Sequence, residues 1–224
     1  MRGPSAKRPL VLAHRGLHVV HRENSLAAFR AAFDVGADGI ECDVQKSPDG
    51  AYVIVHDAPP WQRSLPAPPS LEAMLASLPA GAFLNLELKA DTLRPSDCPS
   101  VFEALSRRPL PGPVLVSSFE PWLLRYFKAH STPIGLLLGN EAIKLGWLGM
   151  AREILRLRPD YLNLPILMFE VLGRRGARFL TLVFRVLGFS LAFWTVNKKE
   201  DVHLVRAMAR IIITDEVLTV RGAL

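Results

Sequence analysis

Short apolar runs alternate along this sequence with stretches of helical periodicity, an order that points to parallel strands joined by crossover helices. The runs begin at Leu10, Ile40, Phe83, Val114, Ile134, Tyr161, Leu191 and Ile211. That makes eight, the count that closes a (β/α)8 barrel, and 224 residues is length enough for one. The chain therefore reads as an α/β protein, a single TIM-barrel domain over residues 1–224. Half of its residues are hydrophobic and 21% are charged, which supplies the core a barrel needs and argues against global disorder.

Local signals refine this frame. The first strand is predicted over Leu10–Ala13, and Asn24 is placed to cap a helix whose Leu26, Phe29, Ala32 and Phe33 share a face, with Gly36 ending it. Ile40–Val44 forms the second strand; after the turn signal Pro48-Asp49-Gly50 the chain returns through Ala51–Val55 as a hairpin. With the turn centred between Pro48 and Asp49, Glu41 falls opposite His56 and Asp43 opposite Ile54, so a carboxylate is set beside an imidazole. The proline-rich passage Ala58–Pro69 excludes a regular helix or central strand and reads as a short loop over or beside a site. Ser70 then caps a helix running to Leu78, and the strand Phe83–Lys89 puts Asn85, Glu87 and Lys89 on one face.

The polar residues on these strands carry the chemistry. Glu41, Asp43 and Glu87 converge as three carboxylates at the ends of adjacent strands, a cluster that repels itself unless a cation sits in it. Oxygen-only donors favour a hard divalent cation, Mg2+ or Ca2+. His14 and His56 each end an apolar run and suit acid–base work on opposite sides of a reacting group. Arg15 and Lys89 add positive charge at the same barrel mouth, where a guanidinium can grip a phosphoryl oxygen. His18 and His21 fall in the following loop and are read as exposed. Together these residues suit a phosphodiester, while their types alone permit other metal-assisted hydrolyses.

The rest of the composition narrows the partners. A formal net charge of +6 favours an anionic one, but no basic–aromatic run, helix-turn-helix, zinc-finger or RNA-binding signature appears, so nucleic acid is not expected. Cys42 alternates away from Glu41 and Asp43, and with Cys98 it forms no CxxC motif and no disulfide framework. The apolar run Pro9–Ala13 is too short for a signal-peptide core, so a cytoplasmic location is expected.

The motifs, in their order and spacing, resemble the glycerophosphodiester phosphodiesterase family of the phospholipase-C-like phosphodiesterase barrels. They are A-H-R-G at Ala13–Gly16, E-N-S at Glu23–Ser25, G-A-D-G-I-E-C-D-V at Gly36–Val44, D-G-A-Y-V-I-V-H-D at Asp49–Asp57, L-E-L-K at Leu86–Lys89, S-S-F at Ser117–Phe119, W-T-V-N at Trp194–Asn197 and I-I-T-D at Ile212–Asp215. The resemblance implies hydrolysis of glycerophosphodiesters to glycerol 3-phosphate and an alcohol, with His14 and His56 as the acid–base pair. It further implies that Glu41, Asp43 and Glu87 hold the metal, that Arg15 and Lys89 bind the phosphate, and that Trp194 walls the substrate. Water and a substrate hydroxyl both remain open as the first nucleophile.

Three departures from that family stand out. The insertion after His56-Asp57 is reduced to Ala58–Pro69, the usual Gly-Val-Asp before the last strand is Met208-Ala209-Arg210, and the stretch from Ile166 to Leu187 is unusually apolar. Arg174, Arg175, Arg178 and Arg185 interrupt that stretch and argue against a membrane span. It reads as a long barrel helix followed by a strand near Phe189, or more sharply as a basic amphipathic surface, residues 166–187, touching an anionic membrane at its periphery. A lysophospholipid cleaved in the phospholipase-D sense is the alternative substrate, and a phosphoester-binding or membrane-associated module without catalysis is the alternative of another class.

Overall fold

The structure is a computed structural model that describes residues 8–57, 67–107 and 109–224, with side chains outside 140–147. Its strands are β1 (Leu10–His14), β2 (Gly39–Lys46), β3 (Tyr52–Ile54), β4 (Phe83–Leu88), β5 (Val114–Ser118), β6 (Ile134–Leu137), β7 (Tyr161–Pro165), β8 (Ser190–Trp194) and β9 (Ile211–Thr214). The crossovers carry α1 (Leu26–Asp34), α2 (Leu71–Ser77), α3 (Cys98–Ser106), α4 (Pro121–Ala129), α5 (Asn140–Leu157), α6 (Met168–Val171), α7 (Gly173–Val186) and α8 (Lys199–Val205), and α9 (Val217–Ala223) follows the last strand.

The strands are ordered β1-β9-β8-β7-β6-β5-β4-β2-β3, and a parallel β1–β2 pairing closes the ring. All pairings are parallel except β2–β3, so the eight expected strands form a closed barrel and β3 is an appendage. The long strand β2 explains the appendage. Gly39–Glu41 pair with β1, whereas Val44–Lys46 pair with β3, so β2 closes the barrel with its first half and carries the hairpin with its last.

Alternation divides the side chains between two apolar regions. Leu12, Phe83, Leu115, Ala192, Ile211 and Ile213 fill the barrel interior, and residues such as Val11, Ile40, Cys42, Leu84 and Leu86 face the helices. Cys42 is fully buried on that outer face, as the alternation predicts. Each leucine, isoleucine or phenylalanine so enclosed contributes roughly 1.5–3 kcal/mol.

The helix ends follow local chemistry. The cap of α1 is Ser25, whose Oγ accepts from the Ala28 amide at 3.2 Å, and not the expected Asn24. Asn24 adopts a left-handed conformation, φ 55°, and sends its side chain into the site. Gly36 does end α1: its amide reaches the Phe33 carbonyl and that of Ala37 the Ala32 carbonyl, at a φ of 86° that glycine adopts without strain. Ser70 caps α2 through the Ala73 amide, as predicted.

The hairpin register differs by one residue from expectation. Val44 pairs with Ile54 and Lys46 with Tyr52, so the turn is centred on Asp49 and Asp43 lies level with Val55, whose amide reaches the Asp43 carbonyl at 2.9 Å. The cause is a three-residue loop: the Gly50 amide closes on the Ser47 carbonyl, and Gly50 then takes φ 91°. Glu41 is therefore not placed opposite His56.

The apolar stretch after β7 forms two helices in place of one, divided at Gly173 with φ 67°, and the following strand starts at Ser190. The Met208-Ala209-Arg210 departure is accommodated, since the Arg210 amide bonds Leu191 and its carbonyl receives the Leu10 amide. Among the described residues, no helix is long and apolar enough to cross a membrane. Residues 58–66 of the proline-rich passage lie outside the described residues.

Candidate active site

The C-terminal ends of β1, β2 and β4 converge, and parallel register decides which side chains meet. His14 is level with Glu41, and Asp43 with Glu87. The three carboxylates Glu41, Asp43 and Glu87 offer oxygens within 4.8 Å of one another, and all three residues are buried. Burial, reinforced by Asp43 and Glu87, drives the Glu41 carboxyl well above its ordinary range. Burial and Asp43 raise Glu87 to about 7, with Lys89 opposing the shift.

Two cations face this cluster. Lys89 Nζ donates to Glu87 Oε1 at 3.0 Å and lies 3.6 Å from Asp43 Oδ1. The Arg15 guanidinium donates to both Glu23 oxygens at 3.1 and 3.2 Å. Its Nε lies 3.4 Å from Asp43 Oδ2, yet is poorly aligned and has no hydrogen bond among the described residues. Burial works against the charge on both side chains, but the surrounding carboxylates outweigh it and raise both pKa values. Three carboxylates against two cations leave the cluster acidic, and its donors are all oxygen: this set fits a hard divalent cation.

The backbone around Arg15 is shaped for this placement. Arg15 has φ 53°, and its amide donates to the Glu41 carbonyl at 2.9 Å and to Glu41 Oε2 at 3.2 Å. Gly16 follows at φ 81°, where a Cβ would meet the Ala28 backbone at 2.8 Å, so no other residue fits there without movement. Asn24 ties the loop to the cluster: Nδ2 donates to Asp43 Oδ2 at 2.9 Å and Oδ1 receives the Asp43 amide at 3.3 Å.

The two histidines are placed differently. His14 Nε2 lies 3.9 Å from Glu41 Oε2, while Nδ1 contacts Asp215 Oδ1 at 2.7 Å. His56 has Asp57 as its side-chain partner at 2.9 Å and borders a cleft of about 170 Å³ with Arg22, Glu23, Asn24 and Pro69. Its carbonyl accepts from Gln45 Nε2 at 2.6 Å, and Thr92 in turn donates to Gln45. Trp194 sits at the end of β8, its indole donating to the Asn163 carbonyl at 3.2 Å and its ring edge-to-face with Phe119 at 5.7 Å.

The comparisons with known proteins agree with this geometry. The model of the glycerophosphoryl diester phosphodiesterase family matches residues 14–74, a segment holding both histidines and two of the three carboxylates. A glycerophosphodiester phosphodiesterase of Caldanaerobacter subterraneus is 29% identical over 92% of this chain and 94% of its own length. A glycerophosphodiester phosphodiesterase of Thermotoga maritima, 26% identical, superposes with a TM-score of 0.78 over 94% of this chain and 96% of that one. Over nearly its whole length the chain is similar to glycerophosphodiester phosphodiesterases. These similarities make it a phosphoric diester hydrolase. A phosphodiesterase of Oleispira antarctica, solved with the product sn-glycerol-3-phosphate, shares the fold at 22% identity with a TM-score of 0.79 over 96% of both chains.

Several residues of this phosphodiesterase site escaped sequence reasoning. Asp215 and Asn197 lie in the I-I-T-D and W-T-V-N motifs, but only the fold shows Asn197 Nδ2 donating to Asp215 Oδ2 at 2.7 Å while Asp215 holds His14. Burial pushes the Asp215 carboxyl up, but the bonds to His14 and Asn197 outweigh it and hold its pKa below the usual range. His18 is half-buried, not exposed as expected: its Nδ1 contacts the His14 carbonyl at 3.2 Å and its Nε2 lies 3.6 Å from Asp215. His21 is likewise half-buried.

Proposed function

We propose that the chain hydrolyses glycerophosphodiesters to glycerol 3-phosphate and an alcohol in a metal-dependent reaction with histidine acid–base catalysis. The observation that carries this reading is the buried triad Glu41, Asp43 and Glu87, flanked by Arg15 and Lys89 and adjoined by a carboxylate-braced His14. The names of the Caldanaerobacter and Thermotoga relatives and the product in the Oleispira enzyme support it.

Glu41, Asp43 and Glu87 would hold a divalent cation, Mg2+ or Ca2+, which would neutralise phosphoryl charge and act as a Lewis acid when bound. Arg15 and Lys89 bind the non-bridging phosphoryl oxygens, where positive charge is worth most against the gathering negative charge of the transition state. With its Nδ1 proton given to Asp215, His14 presents Nε2 to the mouth. His14 and His56 divide the proton transfers: one takes the proton of the attacking hydroxyl, and the other protonates the oxygen that leaves phosphorus. The attacking group is water or the neighbouring hydroxyl of the glycerol; in the second case a cyclic phosphate forms and water then opens it, with the same proton inventory. Trp194 and Phe119 wall the glycerol or leaving group. Product analysis with glycerophosphocholine tests the reading: glycerol 3-phosphate released with added divalent cation supports it, and no release overturns it.

One observation favours a second substrate. Val19 and Val20, on the loop between β1 and α1 near His14, are 71% and 78% exposed, an apolar rim suited to an acyl chain. Lysophosphatidylcholine cleaved to lysophosphatidic acid and choline is the corresponding reaction. Turnover of both compounds side by side decides, and a clear preference for glycerophosphocholine removes the lipid reading.

A further inference from the structure

Helix α7 packs on the barrel through Ala177 and Thr181, with Leu180 and Phe184 partly buried against the core. Its outward line is also apolar. Phe179, Leu182 and Val186 recur at helical spacing and are 69%, 56% and 77% exposed, a stripe that an amphipathic barrel helix would give to polar residues. Arg175 falls within that stripe one turn before Phe179, while Arg178 and Arg185 lie along one flank, and all are exposed.

The charge on this face is one-sided. Helix α7 contains no Asp or Glu, and none of its arginines has a carboxylate partner among the described residues. Basic side chains elsewhere do pair, as Arg8 with Asp38 at 3.0 Å, Arg125 with Glu153 at 3.2 Å and Lys128 with Asp160 at 3.3 Å. The same character is found on the two helices that precede α7: Val171 on α6 is 74% exposed, and α5 exposes Leu155 at 61% between Arg152 and Arg156, which have no carboxylate partner among the described residues.

We propose that α7 is a peripheral docking surface for an anionic lipid bilayer, with Phe179, Leu182 and Val186 entering the headgroup boundary and Arg175, Arg178 and Arg185 meeting lipid phosphates. Charge complementarity selects this occupant. A second copy bound face to face would oppose arginine to arginine, whereas an anionic surface matches every one of them and has room for the apolar stripe. Docking is independent of the reaction and would hold the enzyme at a surface where lipid-derived phosphodiesters arise.

Co-sedimentation of the full chain with vesicles tests this. Binding is expected to phosphatidylcholine vesicles containing phosphatidylglycerol, not to phosphatidylcholine alone, and is expected to weaken as salt is raised. Arg175→Glu/Arg178→Glu should reduce partitioning roughly tenfold or more, and Phe179→Ser/Leu182→Ser should reduce it while retaining the wild-type melting temperature. Both variants should hydrolyse glycerophosphocholine at the wild-type rate, which separates failure of docking from failure of the catalytic reading. Absence of binding to the anionic vesicles, or equal binding by the folded variants, overturns the proposal. So does a wild-type dimer in solution that Phe179→Ser/Leu182→Ser converts to monomer, because the face would then belong to a second copy.

Discussion

His14 Nδ1 and Asp215 Oδ1 are 2.7 Å apart across 201 positions of sequence, and the other oxygen of that carboxylate is held by Asn197 at 2.7 Å. Closure of the barrel makes the contact, since β1 and β9 pair directly and deliver the two residues to one mouth. The carboxylate occupies Nδ1 and leaves Nε2 on the side of Glu41.

Asp215→Asn should therefore lower kcat by roughly a hundredfold or more with little change in KM, because the tautomer and orientation of His14 are lost. Asp215→Glu should recover part of that rate. His18→Ala, which removes a ring 3.6 Å from Asp215 but no contact to the carboxylate triad, should cost far less. Steady-state kinetics on glycerophosphocholine check all three, and an Asp215→Asn enzyme with wild-type kcat contradicts the brace.

Stability of the metal-free chain should fall as pH rises toward neutrality. Glu87 is raised to about 7 from an ordinary 4.5, so across that window the folded form keeps a proton that the unfolded chain has released. Melting curves without metal should show a lower Tm at the upper end of the window. On the proposed assignment a divalent cation would bind the ionised carboxylates, so it should raise Tm more above neutrality than at acidic pH, by about 2.7 kcal/mol of stability at a hundred times its Kd. A metal effect independent of pH would contradict the assignment.

Asn24 and Ser25 are neighbours with separate duties, and substitution should separate them. Ser25→Ala removes a helix cap and should cost about 1 kcal/mol with activity retained. Asn24→Ala strips a buried bond from Asp43 and should cost about 1–3 kcal/mol together with a fall in metal affinity. Denaturant melts and metal titrations give both quantities.

Leaving-group dependence should sort the two histidines. A p-nitrophenyl phosphodiester needs no protonation of its leaving group, so one of His14→Ala and His56→Ala should lose much less rate on it than on glycerophosphocholine. Equal losses on both substrates for both variants would contradict a division of acid and base.

The barrel was legible because strand periodicity and crossover spacing are local properties: the eight strand positions, the Ser70 cap and the outward face of Cys42 follow from them. That Glu41, Asp43, Glu87 and Lys89 share one end follows from alternation along β2 and β4, whereas Arg15 reaches the cluster from the end of β1 in a left-handed conformation that no strand periodicity gives. The hairpin register was not, because a single left-handed Gly50 moves the pairing by one residue. Asn24 reads as a cap in the sequence because its side chain suits a cap equally well, and only the tertiary fold brings Asp43 within its reach. Asp215 lay beyond local reasoning altogether, as its partner is at the other end of the chain.

The most direct test of the account is quantitation of glycerol 3-phosphate released from glycerophosphocholine by the wild-type chain with Mg2+ or Ca2+, by the same chain with chelator, and by His14→Ala and His56→Ala. Release by the wild type with metal, its loss on chelation, and a fall of roughly a hundredfold or more in each variant are expected. Undiminished release in both histidine variants, or release indifferent to the chelator, would contradict it.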